Sequence, residues 1–383
     1  MEQQTKSSVT GFDAIEDVCQ THFEKPDLEA AKVIFACVAA HRIEDHPPVW
    51  LLAIAPPGSM KTVILESHIG LPSVHFPDEV TDKTFISGKM DPLGGKRKTP
   101  ASYLHRIGKE GILVSADFGT ILSMDRRIRN VVFAQLRRIY DGRFSREFGT
   151  DENIDERSWE GRLTFLAGAT PEVDKYHSVF QSLGERFVRV RWPRAGGIDA
   201  GLRALRQKDE LKAELQNAVH EFLLPVLNQG PIEAPVIGSD WERRIATFSE
   251  FVALARADVP RTRDDREICG IAQPEGNTRL AQELAQVGRG WAVLNARTEV
   301  SEDDFSLIVR AGLDSIPPAR KLVLLALLDD KSPYSLELPE STVNRALEDL
   351  QAIGLTAKHE STWRLSETAK EITVPWFPQC VCG

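Results

Sequence analysis

The sequence predicts an α/β fold: an open parallel sheet, then an all-helical region, then a small helix-and-hairpin unit at the C-terminus. Three observations predict it. Four short, almost continuous apolar runs have the length and composition of strands buried on both faces. Stretches of helical periodicity lie between most of them, and that alternation favours a parallel sheet. Beyond about residue 200 the periodicity is helical and no strand-like run appears until Thr356.

Taken in order, residues 11–45 carry a broad helical stripe through Leu28, Ala31, Val33, Ile34, Ala36, Val38 and Ala39, ended by His46-Pro47-Pro48. Val49–Ile54 is the first strand, and Thr62–His68 begins a helix. Ile112–Ala116, ending at Asp117, is the second strand, and 125–140 is helical. Leu163–Gly168, ending at Thr170-Pro171, is the third, and Phe187–Trp192 the fourth, with Arg189 and Arg191 on one polar face. Helices follow over 207–227, 240–257, 277–297, 302–314 and 318–330. Pro339–Leu350 reads as a capped helix, and Gly354 and a hairpin over Thr356–Leu365 complete a winged-helix pattern. The expected boundaries are an N-terminal helical segment (1–45), a nucleotide-binding core (46–200), a helical lid (201–316) and a winged helix with its tail (317–383).

The 383 residues suffice for two or three domains, and 42% hydrophobic with 27% charged residues suits a folded chain. A formal net charge of −9 provides no overall basic field, so nucleic-acid contact needs a local patch. Five cysteines without regular spacing do not read as a disulfide framework, although Cys380 and Cys382 form a terminal pair able to bind a metal or oxidise. No apolar run is long enough for a membrane helix, and Met1–Thr10 lacks the apolar stretch of a signal peptide. The expectation is a cytoplasmic, reduced protein with no membrane partner.

Ala55-Pro56-Pro57-Gly58-Ser59-Met60-Lys61-Thr62, between a strand and a helix, reads as a P-loop. Such a loop wraps phosphates in backbone N–H groups, its lysine neutralises the β/γ oxygens, and its Ser/Thr holds Mg²⁺. Gly58 and Ser59 supply the loop, Lys61 and Thr62 the two side chains. Ala55 and Met60 stand where the G-x-x-x-x-G-K-[ST] pattern has glycine, and Met60 puts a side chain where a permissive backbone is expected. Asp117, ending the second strand, suits Mg²⁺ ordering, or is a turn or helix-capping residue. Phe118 follows it where a water-polarising glutamate often stands; Asp141 and Glu147 are alternative bases. Thr170 either positions the lytic water or belongs to a turn before Pro171. Arg186, in Leu183–Phe187, either reaches the γ-phosphate on a neighbouring subunit or is a surface arginine.

These residues resemble the AAA+ ATPases: Ala55–Thr62 as Walker A, Ile112–Phe118 as Walker B, Thr164–Thr170 as sensor 1 and Leu183–Phe187 as the arginine-finger region, over about 40–200. Thr278-Arg279-Leu280, the following helix and Glu299–Phe305 are similar to the lid of minichromosome maintenance (MCM) type helicases, found among replication ATPases of phages and mobile elements. The resemblance implies ATP and Mg²⁺ as cofactors, Arg279 as sensor 2, and a self-assembled, hexameric ring holding nucleotide between subunits. The departures are Met60, Phe118 and a third strand ending in Thr170 rather than Asn.

Arg126, Arg127, Arg129, Arg137, Arg138, Arg143 and Arg146 crowd one stretch of an otherwise acidic chain. Tyr140–Phe148 reads as a strand, Thr150–Asn153 as a turn and Trp159–Phe165 as the return; the resemblance implies a DNA-holding hairpin here. Arg143 and Arg146, three apart, fall on opposite faces, for phosphate or for salt bridges to the next subunit. Thr342, Asn344 and Arg345 open the candidate recognition helix, with Glu340, Glu348 and Asp349 opposing tight DNA binding. The expected function is a ring-shaped DNA motor or helicase in replication of a mobile element. The alternative is a slowly hydrolysing nucleotide switch or scaffold that recruits partner proteins, as in a phage-defence system.

Overall fold

The computed structural model describes residues 11–377 apart from 78–79, 82, 87–89, 93–97, 101, 151–152, 177–179, 181–183, 195, 207–209, 263, 265–266 and 361. Leu183, the turn residues Asp151 and Glu152, and the Cys380/Cys382 pair therefore lie outside the described residues.

Helices α1 (Gly11–His22) and α2 (Leu28–Ala40) precede β1 (Trp50–Ile54) and α3 (Lys61–Glu66). Then come β2 (Val74–His75), a ribbon of β3 (Met90–Pro92) and β4 (Lys98–Pro100), α4 (Tyr103–Ile107), β5 (Glu110–Ser115), α5 (Gly119–Ser123) and α6 (Arg126–Tyr140). A hairpin of β6 (Arg143–Thr150) and β7 (Asn153–Glu160) leads into β8 (Arg162–Ala169), and a 3₁₀ turn over Pro171–Tyr176 precedes β9 (Val188–Arg191). The helical region is α7 (Ile198–Arg206), α8 (Glu210–Leu227), α9 (Ser239–Ala255), α10 (Thr278–Leu294) and α11 (Glu302–Ser315). The C-terminal unit is α12 (Pro318–Leu328), α13 (Glu340–Ala352), the hairpin β10 (Thr356–His359) and β11 (Thr362–Leu365), and α14 (Glu367–Thr373).

Five strands form an all-parallel sheet in the order β2-β5-β8-β1-β9. Its apolar runs are explained by burial on both faces. Along β1, Leu51 and Ala53 enter a core with Ile34 and Val38 of α2, whereas Trp50, Leu52 and Ile54 enter a second core with Phe133 and Leu136 of α6. The chain is therefore α/β in three layers, with α2 and α6 on opposite faces of the sheet.

The helical region is fixed to this core through α10. Gly290 lies against α2 so closely that a Cβ there would fall 2.0 Å from Ala36 O, an approach only glycine permits. The C-terminal unit is tied down by charge. Asp349 on α13 accepts from Arg261 at 2.7 Å and from Arg320 at 3.0 Å, and Arg320 also donates to Ala257 O at 2.6 Å.

Several expectations change. The helix over 11–45 is two helices, broken where Lys25 takes a left-handed φ of 51° next to Pro26. Tyr140 ends α6 instead of starting a strand: Gly142, at φ 80°, turns the chain, and β6 begins at Arg143. The hairpin's return is β7, and the run to Phe165 belongs to the central strand β8, separated by Gly161. Strands β2, β3 and β4 carried too few apolar residues to be read. Arg189 and Arg191 share a face, but a packed one: Arg189 is buried on Glu185 at 3.1 Å, and Arg191 pairs with Asp174 at 2.7 Å. Glu348 and Asp349 are engaged by Arg261, so their charge is spent on holding α13. Cys19 and Cys37 are buried and Cys269 exposed, all three free. No described helix is long and apolar enough to cross a membrane.

Candidate functional site

The loop after β1 opens at a topological switch. Neighbours β1 and β8 send their outgoing connections opposite ways, β1 to the far edge strand β2 and β8 across to β9. Open α/β sheets bind ligands at the carboxyl ends of their strands at such a point. Gly58 has φ 78° with open space where a Cβ would point. Met60 stands at φ −71°, ψ −3°, an ordinary right-handed conformation, and its side chain is buried in the core. The missing glycine therefore costs the loop no backbone strain, contrary to the sequence expectation. Among the described residues no acceptor takes the backbone N–H of Gly58, Met60, Lys61 or Thr62.

Lys61 is buried, and its Nζ donates to Ala169 O at the end of β8, 2.9 Å away. Burial lowers its pKa below the lysine norm, and the charge of Asp117 partly offsets this. Three strand ends, those of β1, β5 and β8, thus bring Lys61, Asp117 and the Ala169-Thr170 step to one corner. Thr62 and Asp117 are exposed there. Asp117 Oδ1 accepts from Gly119 N at 2.8 Å, the turn-capping role, while its other oxygen takes no hydrogen bond among the described residues. No group of three or more His, Cys, Asp or Glu among the described residues could hold a metal. A Mg²⁺ ion would rest on Thr62, Asp117 and phosphate oxygens, the sparse protein ligation usual for this ion.

Phe118 turns away from this corner. It is fully buried against Phe133, Phe165, Phe180 and Phe187. The substitute bases do not fill its place: Asp141 pairs with Arg186 at 3.2 Å, and Glu147 is exposed on β6.

Arg186 and Arg279 gather at the opposite end of the sheet. Arg186 precedes β9, whose Val188 pairs with Leu51 near the start of β1, so the ~13 Å length of β1 separates it from the Lys61 corner. Its guanidinium lies 5.3 Å from the ring centroid of Tyr140, which packs on Trp50, the first residue of β1. Arg279 donates to Gly184 O and lies 5.9 Å from the same ring. The two arginines expected to read nucleotide are thus together, and away from the Lys61 of their own chain.

The basic stretch forms a cleft of about 750 Å³ between α6 and the hairpin, lined by Gln135, Arg138, Arg143, Phe144, Arg146 and Trp159 among others. Arg143 is exposed, with Glu160 across the hairpin at 3.6 Å, and Arg146 is half-buried; exposure alternates along β6, yet both arginines line this one cleft and are not parted onto separate surfaces. Arg345 is exposed at a second cleft, shared by the start of α13 with Arg189, Arg261 and Asp258 of the body.

Sequence reasoning missed Tyr140 and Glu283. Tyr140 Oη donates to Glu283 Oε1 at 2.5 Å, and burial pushes that carboxyl's pKa up to about 8. Its signal was present: Glu283 stands on the apolar stripe of α10 with Leu280, Leu284 and Val287, where a charge is out of place.

No family model matches the chain, and no curated protein matches its sequence.

Proposed function

We propose that this chain is an AAA+ ATPase that binds ATP–Mg²⁺ between the subunits of a self-assembled ring and works as a DNA motor or helicase, with 201–316 as lid and the C-terminal unit as a winged helix. The observation that carries the reading is the Lys61 corner: a buried lysine, an exposed Thr–Asp pair and a glycine in left-handed conformation meet at the switch point of a parallel sheet. A buried ammonium satisfied, among the described residues, by a carbonyl at a strand end is a costly arrangement that phosphate would repay. The position of Arg186 and Arg279, a strand's length from that corner, supports nucleotide shared between copies, because an arginine supplied in trans needs that separation. The arginine-lined cleft beside the hairpin supports DNA as the polymer moved.

A second reading has its own observation. Phe118 fills the core where a water-polarising carboxylate would stand, which favours slow turnover and a nucleotide-dependent switch or scaffold. ATPase rate with and without single-stranded DNA separates the two. Stimulation by DNA, with salt-sensitive binding, is the motor's signature; slow turnover indifferent to DNA leaves the switch.

A further inference from the structure

Tyr140 lies where two guanidinium groups meet. Arg186 and Arg279 stand 5.3 and 5.9 Å from its ring centroid. A Cβ on Gly184, at φ 75°, would come within 3.2 Å of Arg186 Nη1 and 3.6 Å of Arg279 Nη1, so the loop is kept bare where both pass. The ring is held from two other sides. Trp50 meets it edge-on with centroids 5.3 Å apart, and Glu283, fully buried on α10, accepts from the phenol at 2.5 Å. Asp141, next in sequence, holds Arg186 at 3.2 Å.

We infer that Tyr140 is a positioning residue: an aromatic platform, pinned by Glu283, that presents Arg186 and Arg279 as a pair to the triphosphate bound on a second copy of this chain. The inference rests on the ATPase reading above. An aromatic face attracts a guanidinium without neutralising it, so the ring can orient both cations without cancelling their charge, while Asp141 holds Arg186 and Gly184 O holds Arg279 from the side. Fixing them beforehand matters because charge stabilisation in phosphoryl transfer depends on placement, and a displacement of about 1 Å can cost ~100-fold. The contact also joins core to helical region: α6 supplies Tyr140, while α10 supplies both Arg279 and Glu283.

The test is steady-state ATP turnover of the full chain, alone and in equimolar mixtures allowed to exchange subunits. Tyr140→Leu should lower kcat about tenfold or more, with unchanged affinity for a fluorescent ATP analogue. Mixed with Lys61→Ala, which lacks the phosphate grip but keeps the platform, it should regain turnover, as Arg186→Ala mixed with Lys61→Ala should. Tyr140→Phe, which removes only the bond to Glu283, should fall between Tyr140→Leu and the wild type and should fold where the leucine variant does not. Unchanged kcat in the phenylalanine variant, a raised KM in place of a lowered kcat, or no recovery on mixing overturns the inference, since the bond to Glu283 would then be dispensable or the residue would act on binding or within one chain. A wild-type chain without ATP turnover overturns the ATPase reading itself, an outcome distinct from turnover that ignores Tyr140.

Discussion

Phe118 stacks on Phe180 with ring centroids 5.8 Å apart, which commits the residue after Asp117 to the core and not to chemistry. Phe118→Glu should therefore create no catalytic base. It would bury an unpaired carboxylate among four aromatic rings and lose the packing of one, costing ~4 kcal/mol or more. A variant that melts like the wild type and hydrolyses ATP faster would contradict this placement.

Lys61→Ala should abolish nucleotide binding while leaving the fold intact, since among the described residues the ammonium's hydrogen-bond partner is one carbonyl at 2.9 Å. Calorimetric titration with ATP–Mg²⁺ checks it, and retained affinity would refute the site. Met60→Gly, which restores the usual loop residue, should not tighten binding. Met60 is already in a relaxed backbone region and buried, so its loss should cost ~2–5 kcal/mol on thermal melting.

Arg138, Arg143 and Arg146 line one cleft. Replacing Arg143 by alanine should weaken single-stranded DNA binding across all sequences and reduce the salt dependence of log K by about one phosphate's worth. Filter binding over a range of salt concentrations measures the slope; an unchanged slope would place DNA elsewhere.

Asp349 serves Arg261 and Arg320 together. Asp349→Ala should remove the carboxylate that two guanidinium groups share at the junction with the C-terminal unit, leaving Arg261 with Glu348 and Arg320 with backbone carbonyls, and cost ~3 kcal/mol. Limited proteolysis should then release residues beyond about 317 early; a cleavage pattern like the wild type's would show the junction held by other contacts.

Glu283 should make stability fall with rising pH. Its carboxyl is protonated in the folded chain up to about pH 8, while an unfolded glutamate releases its proton near 4.5. Between those values the folded state binds more protons, so its advantage is complete below about 4.5 and lost as pH rises through about 8. Desolvation drives the shift; Tyr140, Arg256 and Arg279 oppose it, and Glu275 adds to it. Buried His41 and His68, lowered to about 3 and 4, act in the opposite sense below 6.5. The informative comparison is thus Glu283→Gln against wild type between pH 6.5 and 8.5, where the wild type should lose more melting temperature than the variant.

What the sequence determined by itself was local. Trp50–Ile54 had to be a buried strand, because five apolar residues in a row suit only a backbone covered on both faces. Gly58, Lys61 and Thr62 could be proposed as a phosphate loop from sequence because that pattern is spelled by neighbours a few residues apart. The helices between 210 and 352 followed from periodicity to within a few residues, whereas the short helices Ile198–Arg206 and Glu367–Thr373 did not. Tertiary structure alone decided what depends on direction and distance. Whether Met60 strained its loop depended on one φ angle. Whether Phe118 faced ligand or core depended on which side of β5 the chain turned. Arg186, Arg279 and Tyr140 come from three separate segments, and no spacing rule brings them together. Their meeting is fixed by the register of β9 on β1 and by the close seat of α10 on α2 at Gly290, and these are properties of packed surfaces, not of any one stretch of chain.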